Sequence, residues 1–120
     1  MRRALGLFVV LCTLVSAALA DQEIYSDKYD YVDVDQILGN DRIREQYYNC
    51  FLDAAPCYTP DAKFFKDKFP EAIVTKCRWC TEKQKISFEK IVLHYTQKEP
   101  KKWEAVLLRA INQYQKKKTT

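Results

Sequence analysis

Apolar residues recur at helical spacing along most of this chain, and nowhere do they alternate with polar ones long enough to make a strand. Val34, Ile37 and Leu38 fall at i, i+3, i+4, with Asp33 and Asp35 placed to accept amide bonds and meet the positive end of a helix dipole. A short helix should stop near Gly39. Asn40 or Asp41 can cap the next, whose inner stripe is Ile43, Tyr47, Cys50, Phe51 and Ala54 and whose outer face carries Arg42, Arg44, Glu45, Asn49 and Asp53. Pro56 is expected to end it.

Thr59-Pro60 starts a third helix: the hydroxyl caps it, and the proline's missing amide hydrogen costs nothing in the first turn. Ala62, Phe65, Phe69, Ala72 and Ile73 line one side as far as Cys77, with a kink or a break expected at Pro70. Thr81-x-x-Gln84 is a capping-box pattern that opens the longest helix, with Phe88, Ile91, Val92 and Tyr95 as its buried stripe. Beyond Pro100, Trp103, Val106, Leu107, Ala110 and Tyr114 mark one more helix. Two glycines leave little for hairpin turns, and an all-α class follows. Asp21 to Tyr31, polar and rich in tyrosine, should run extended over the surface.

The first twenty residues stand apart from this pattern. Met1-Arg2-Arg3 is a basic start, Ala4 to Val15 a short apolar run, and Ser16 to Ala20 offers an Ala-x-Ala cleavage site, which together read as a secretory signal peptide. The apolar run is shorter than the ~20 residues of a bilayer span. Cleavage after Ala20 leaves a single domain, 21–120, and removes Cys12, so five cysteines become four. An even count in a short secreted chain reads as a disulfide framework. Losing Arg2 and Arg3 also lowers the formal charge from +4 to +2. Lys116-Lys117-Lys118 is a solvated tail, and nucleic-acid binding, which needs a concentrated basic face, is disfavoured.

The four remaining cysteines are spaced C-x6-C and C-x2-C. Cys77 and Cys80, three apart on a helical turn, have Cα atoms about 5 Å apart, within reach of a disulfide. Joining Cys50 to Cys57 would close a small loop between helices. Each such local bridge stabilises by about 2 kcal/mol, whereas a crossed pairing such as Cys50 with Cys80 gives about 4, so entropy alone does not choose the local pattern. Zinc generally takes two tight C-x2-C pairs. A thioredoxin-like centre at Cys77-Arg78-Trp79-Cys80 needs a strand before it, where this chain reads as helix. No metal and no cofactor is expected.

A larger pattern runs through these pieces. Tyr29-Asp30-x-Val32-Asp33-Val34-Asp35-x-Ile37-Leu38-x-Asn40-x-Arg42-Ile43, then Tyr47-x-x-Cys50, Pro56-Cys57, Thr59-Pro60-Asp61, Cys77-x-x-Cys80-Thr81-Glu82-Lys83-Gln84-Lys85 and Pro100-x-x-Trp103 follow one another in order. In these the chain resembles the insect chemosensory proteins, the olfactory-segment-D or pheromone-binding A10 family. It departs from them in Tyr58, an extra residue before Thr59, in Ala62 where the family has glycine, and in Gln115 and three lysines where the family often has Asp-Pro-x-Gly. The resemblance implies a compact bundle of about six short helices around an apolar channel, with disulfides Cys50 to Cys57 and Cys77 to Cys80. It also implies a secreted, extracellular carrier of fatty acids, pheromones and odorants.

A carrier needs a dry cavity lined by side chains that can shift. Tyr47, Tyr95 and Trp103 are candidates for its wall, since each has a large apolar body and a polar edge. Ile37, Ile43, Val92 and Leu107 join them from the helical stripes, and the resemblance puts Tyr29 and Asp30 at the mouth. On this reading the chain is a monomer whose partner is a small apolar ligand, with a membrane receptor as recipient. Catalysis finds no support. His94 is the only histidine, lies off the stripe of its helix and should be exposed, with no nucleophile to serve. The competing class is a secreted interaction or signalling factor that acts through its surface; an exposed patch over a filled interior would mark it.

Overall fold

A computed structural model describes residues 23–119; the expected signal peptide, residues 1–20, lies outside the described residues. The segment ahead of the helices, expected to run extended, turns at 28–31, where the Asp30 amide donates to Asp27 O and the Val32 amide to Tyr29 O. Five helices follow: α1 Val34–Leu38, α2 Asp41–Phe51, α3 Pro60–Thr75, α4 Glu82–Lys98 and α5 Pro100–Thr119. Each of the first four begins on a side-chain cap. Asp33 accepts from the amides of Asp35 and Gln36, Asn40 from Ile43 and Thr59 from Ala62. Thr81 and Gln84 form the full reciprocal capping box. Among the described residues the class is all-α, with five helices rather than about six.

The break expected at Pro70 does not occur. The helix runs unbroken across it, because the ring removes only one amide donor and is itself buried. The second helix, in turn, stops before its proline. Asp53 turns left-handed (φ 63°), its amide donating to Cys50 O and that of Ala54 to Asn49 O, so α2 closes at Phe51 and Ala54 is exposed. The Asp53 carboxylate holds that turn by binding Lys66, Arg109 and Gln113, from α3 and α5.

α3 packs most extensively on α5, around Phe69, Val106 and Ala110, with Phe51 and Trp103 edge-on to Phe69 at 5.1 and 6.3 Å. A second apolar cluster forms where Ala72 meets Cys77 and Cys80 under Tyr25 and Phe88. The disulfides are the local ones, Cys50 to Cys57 and Cys77 to Cys80, with Cα separations of 4.9 and 5.1 Å. They clip neighbours and leave the helices joined mainly by side-chain packing.

The staple at the end of α3 sits on a bent stretch: Lys76 and Cys77 are both left-handed, at φ 55° and 60°, and neither is glycine. A left-handed residue with a Cβ costs roughly 1–2 kcal/mol. Lys76 is exposed, so Lys76→Gly should relieve strain without loss of packing and raise stability by about 1 kcal/mol, partly offset by the glycine's unfolded-state entropy. Urea denaturation checks this; a lowered midpoint would show that the turn carries no such strain.

Candidate functional site

The five helices leave between them a cavity of about 140 Å³, partly open to solvent and lined almost wholly by apolar atoms. Every element contributes. The segment before α1 supplies Tyr29, Asp30 and Val32; α1 supplies Val34, Ile37 and Leu38; α2 supplies Arg44, Tyr47, Tyr48 and Phe51. From the other side come Phe65, Phe69 and Ala72 of α3 with the stem of Lys68, then Gln84, Phe88, Ile91 and Tyr95 of α4, and Trp103 and Val106 of α5. The Cys77–Cys80 bridge is part of the wall. Lys83, at the start of α4, is the lining residue that stands exposed, and we take its end of the cavity as the mouth.

The polar parts of the wall are tied to the framework. Asp30 accepts from Thr81 Oγ1 at 2.7 Å and from Gln84 Nε2 at 3.0 Å, so its charge is spent on the start of α4. That contact lays Tyr29 against Phe64 and Phe65, with ring centres 5.2 and 6.4 Å apart. Tyr47 donates to the buried Asp61 in the first turn of α3, and Tyr48 donates to the Lys102 carbonyl at 3.0 Å. Burial, reinforced by hydrogen bonding to Asp61, pushes the Tyr47 hydroxyl up to about 12. Burial, with a smaller contribution from the Glu99 charge, does the same for Tyr95. Both are uncharged donors at neutral pH.

At the end away from Lys83 lies a charged cluster that helical periodicity assigns to outer faces. Arg44 is only 15% exposed; it donates to the Leu38 carbonyl and to Asp41, and its Nε lies 3.6 Å from Glu99. Lys102 pairs with Glu99 at 3.2 Å and with Glu45. His94, expected to be exposed, is 12% exposed and sits 3.3 Å from Glu99, because the turn between α4 and α5 folds Glu99 back beside it. Burial opposes ionisation of Glu99, but Lys102, His94 and Arg44 outweigh it and hold its carboxyl below the usual glutamate value.

Of the candidate wall residues, the structure gathers Tyr29, Asp30, Ile37, Tyr47, Tyr95 and Trp103 around the cavity. Ile43, Val92 and Leu107 do not line it. Ile43 is 38% exposed because α2 turns Arg44, Tyr47, Tyr48 and Phe51 inward, a face that shares Tyr47 and Phe51 with the expected stripe but is centred roughly 65° from it. Val92 and Leu107 are half-buried and sit about 40° past Phe88 and Trp103, on the flanks of their helices. Tyr48, Phe65, Phe69, Phe88, Ile91 and Val106 line the cavity without having been singled out as ligand residues. Apolar spacing marks all but Tyr48 as inward, yet spacing does not separate core from cavity wall.

Among the described residues no helix is long and apolar enough to cross a membrane, and C-x2-C follows a helix rather than a strand. The fold and cavity thus define a small helical binding protein. The chain is similar, at 39% identity over 86% of its length and 82% of the relative's, to allergen Tha p 1 of Thaumetopoea pityocampa. It is 35% identical to ejaculatory bulb-specific protein 3 of Drosophila melanogaster over 86% of this chain and 78% of that one. A solved chemosensory protein in complex with bromo-dodecanol overlays with a TM-score of 0.68 at 30% identity, covering 78% of this chain and 94% of that one. Residues 25–119 match the insect pheromone-binding family, A10/OS-D, and the chain belongs to that family, whose members are binding proteins and not enzymes.

The tyrosines set an alkaline limit on the site. Tyr47 and Tyr95 titrate near 12 in the fold, against about 10 for an unfolded tyrosine, so the fold favours their protonated forms. Their contribution to stability is complete below pH 10 and is lost as pH rises through 12. An ultraviolet absorbance titration should show two tyrosine steps near pH 12, one of them removed by Tyr47→Phe; ionisation of every tyrosine near 10 would contradict the burial described.

Proposed function

We propose that this chain is a secreted carrier that holds small hydrophobic ligands, of the fatty acid, pheromone or odorant kind, in its internal apolar cavity. The observation that carries the reading is the cavity itself: side chains from all five helices and the segment before α1 surround a space instead of closing on one another. A factor acting only through its surface would have no use for that hollow. The bromo-dodecanol bound to the solved relative is a long-chain alcohol, in keeping with such a ligand. Secretion rests on the expected leader and on four cysteines joined as two disulfides, chemistry suited to an oxidising compartment. A monomer that passes its ligand to a membrane receptor completes the proposal.

The energetics suit loose, reversible carriage. Burying a methylene is favourable by about 0.8 kcal/mol, so about eight methylenes supply roughly 6 kcal/mol before the costs of association. At about 140 Å³ the space is smaller than the ~300 Å³ at which pockets for drug-sized ligands begin. A long chain therefore enters only if wall side chains such as Phe88, Ile91 and Trp103, all partly exposed, swing aside. Local disulfides permit that, since neither bridge ties one distant helix to another.

A fluorescent apolar probe should bind saturably with the disulfides intact and be displaced by dodecanol or lauric acid. Ile91→Trp, which fills the cavity from the middle of α4, should weaken probe binding by about tenfold or more while circular dichroism stays unchanged. Absence of saturable binding to the oxidised wild-type protein would remove the carrier reading.

A further inference from the structure

The inner end of the cavity, away from Lys83, is not uniformly apolar. Tyr95 lines it and is 7% exposed, yet its hydroxyl makes no hydrogen bond among the described residues. Beside it, the guanidinium of Arg44 satisfies its two terminal nitrogens on Leu38 and Asp41, but its buried Nε has no hydrogen-bond partner. Glu99, the carboxylate facing Nε, stands at 3.6 Å, beyond hydrogen-bonding distance. Of the two, Arg44 Nε is the buried atom, and a buried polar group without a partner costs about 1–3 kcal/mol; the Tyr95 hydroxyl oxygen keeps some accessible surface and is open to water or ligand.

Tyr95 cannot easily turn elsewhere to find one. Its ring is stacked on Tyr48 with centres 5.8 Å apart and met edge-on by His94 at 5.0 Å. The hydroxyl is thus a fixed, protonated donor at the end of an apolar space. The cations behind it are already paired, Arg44 and Lys102 with Asp41, Glu45 and Glu99. A carboxylate brought to this end would add an unmatched negative charge near Glu99. A neutral oxygen would take the Tyr95 proton and leave the ion pairs in place.

We propose that Tyr95, backed by Arg44, forms a polar subsite at the inner end of the cavity that receives the neutral oxygen of a long-chain alcohol, aldehyde or ester. This rests on the carrier reading and says how that site chooses its ligand. The hydrocarbon tail runs back along α4 toward Lys83, a distance of about 18 Å at 1.5 Å per residue. The head enters first, and the tail faces the mouth.

The test uses the oxidised wild-type protein and Tyr95→Phe, an isosteric change, with tridecane, dodecanol, methyl laurate and laurate competing against a fluorescent apolar probe. Tyr95→Phe is expected to weaken dodecanol and methyl laurate by about three- to tenfold relative to tridecane, with each affinity referred to the probe's own affinity for the same variant. The wild-type protein is expected to prefer both neutral oxygen ligands to laurate. The proposal is overturned if tridecane and dodecanol weaken together, which makes Tyr95 a packing residue, or if nothing changes. It is also overturned if laurate binds best and loses its advantage in Lys83→Gln, which puts the head at the mouth. Failure of the probe to bind the wild-type protein at all is a separate outcome: it removes the carrier reading and this proposal with it.

Discussion

Gln84 is where the segment before α1 is fastened to the bundle. Its Oε1 accepts from the Thr81 amide at 3.0 Å, and its Nε2 donates to the Ser26 carbonyl at 2.9 Å and to Asp30 at 3.0 Å. Thr81 returns the cap and donates its own hydroxyl to the same carboxylate. A buried amide satisfied on both ends thus joins a helix start to a segment more than fifty residues earlier. Tyr29, Asp30 and Val32 owe their place on the cavity wall to this joint, and α1 follows directly behind them. An unsatisfied amide in that position would cost more than a surface contact, because it has no water to turn to.

Two polar joints therefore bracket an apolar interior. The first is this capped amide near the open end; the second is the cluster of Arg44, Glu45, His94, Glu99 and Lys102 at the other. Between them the walls are held by aromatic and aliphatic contacts that resist little when a side chain turns. Such a division of labour suits a molecule that must keep its fold while its interior changes occupant. Few large side chains are wholly buried, and Phe51, Phe88 and Trp103 pack on the core while remaining partly exposed.

Most of the helix boundaries were legible because they are local events. Asp33, Asn40, Thr59 and Thr81 cap by reaching amides two or three residues ahead, and such bonds need nothing from the rest of the molecule. Pro70 misled because the cost of a proline inside a helix is local while the burial that offsets it is not. Arg44 and His94 misled for a related reason: on a single helix each reads as outward, whereas the Leu38 carbonyl of α1 meets Arg44 and Glu99, carried back by the turn into α5, faces both.

What the sequence by itself determined is the all-α class, the caps and the family, since these follow from side chains within a turn or two of one another and from motifs kept in order. What the tertiary structure decided is which apolar residues face the hollow. Ile43 and Tyr47 share one stripe on paper, yet the first points outward and the second to the wall, because the rotation of α2 about its axis is set by its packing on α1 and α3. A stripe gives a helix an inner side to within about one residue; the neighbours it packs against fix the rest.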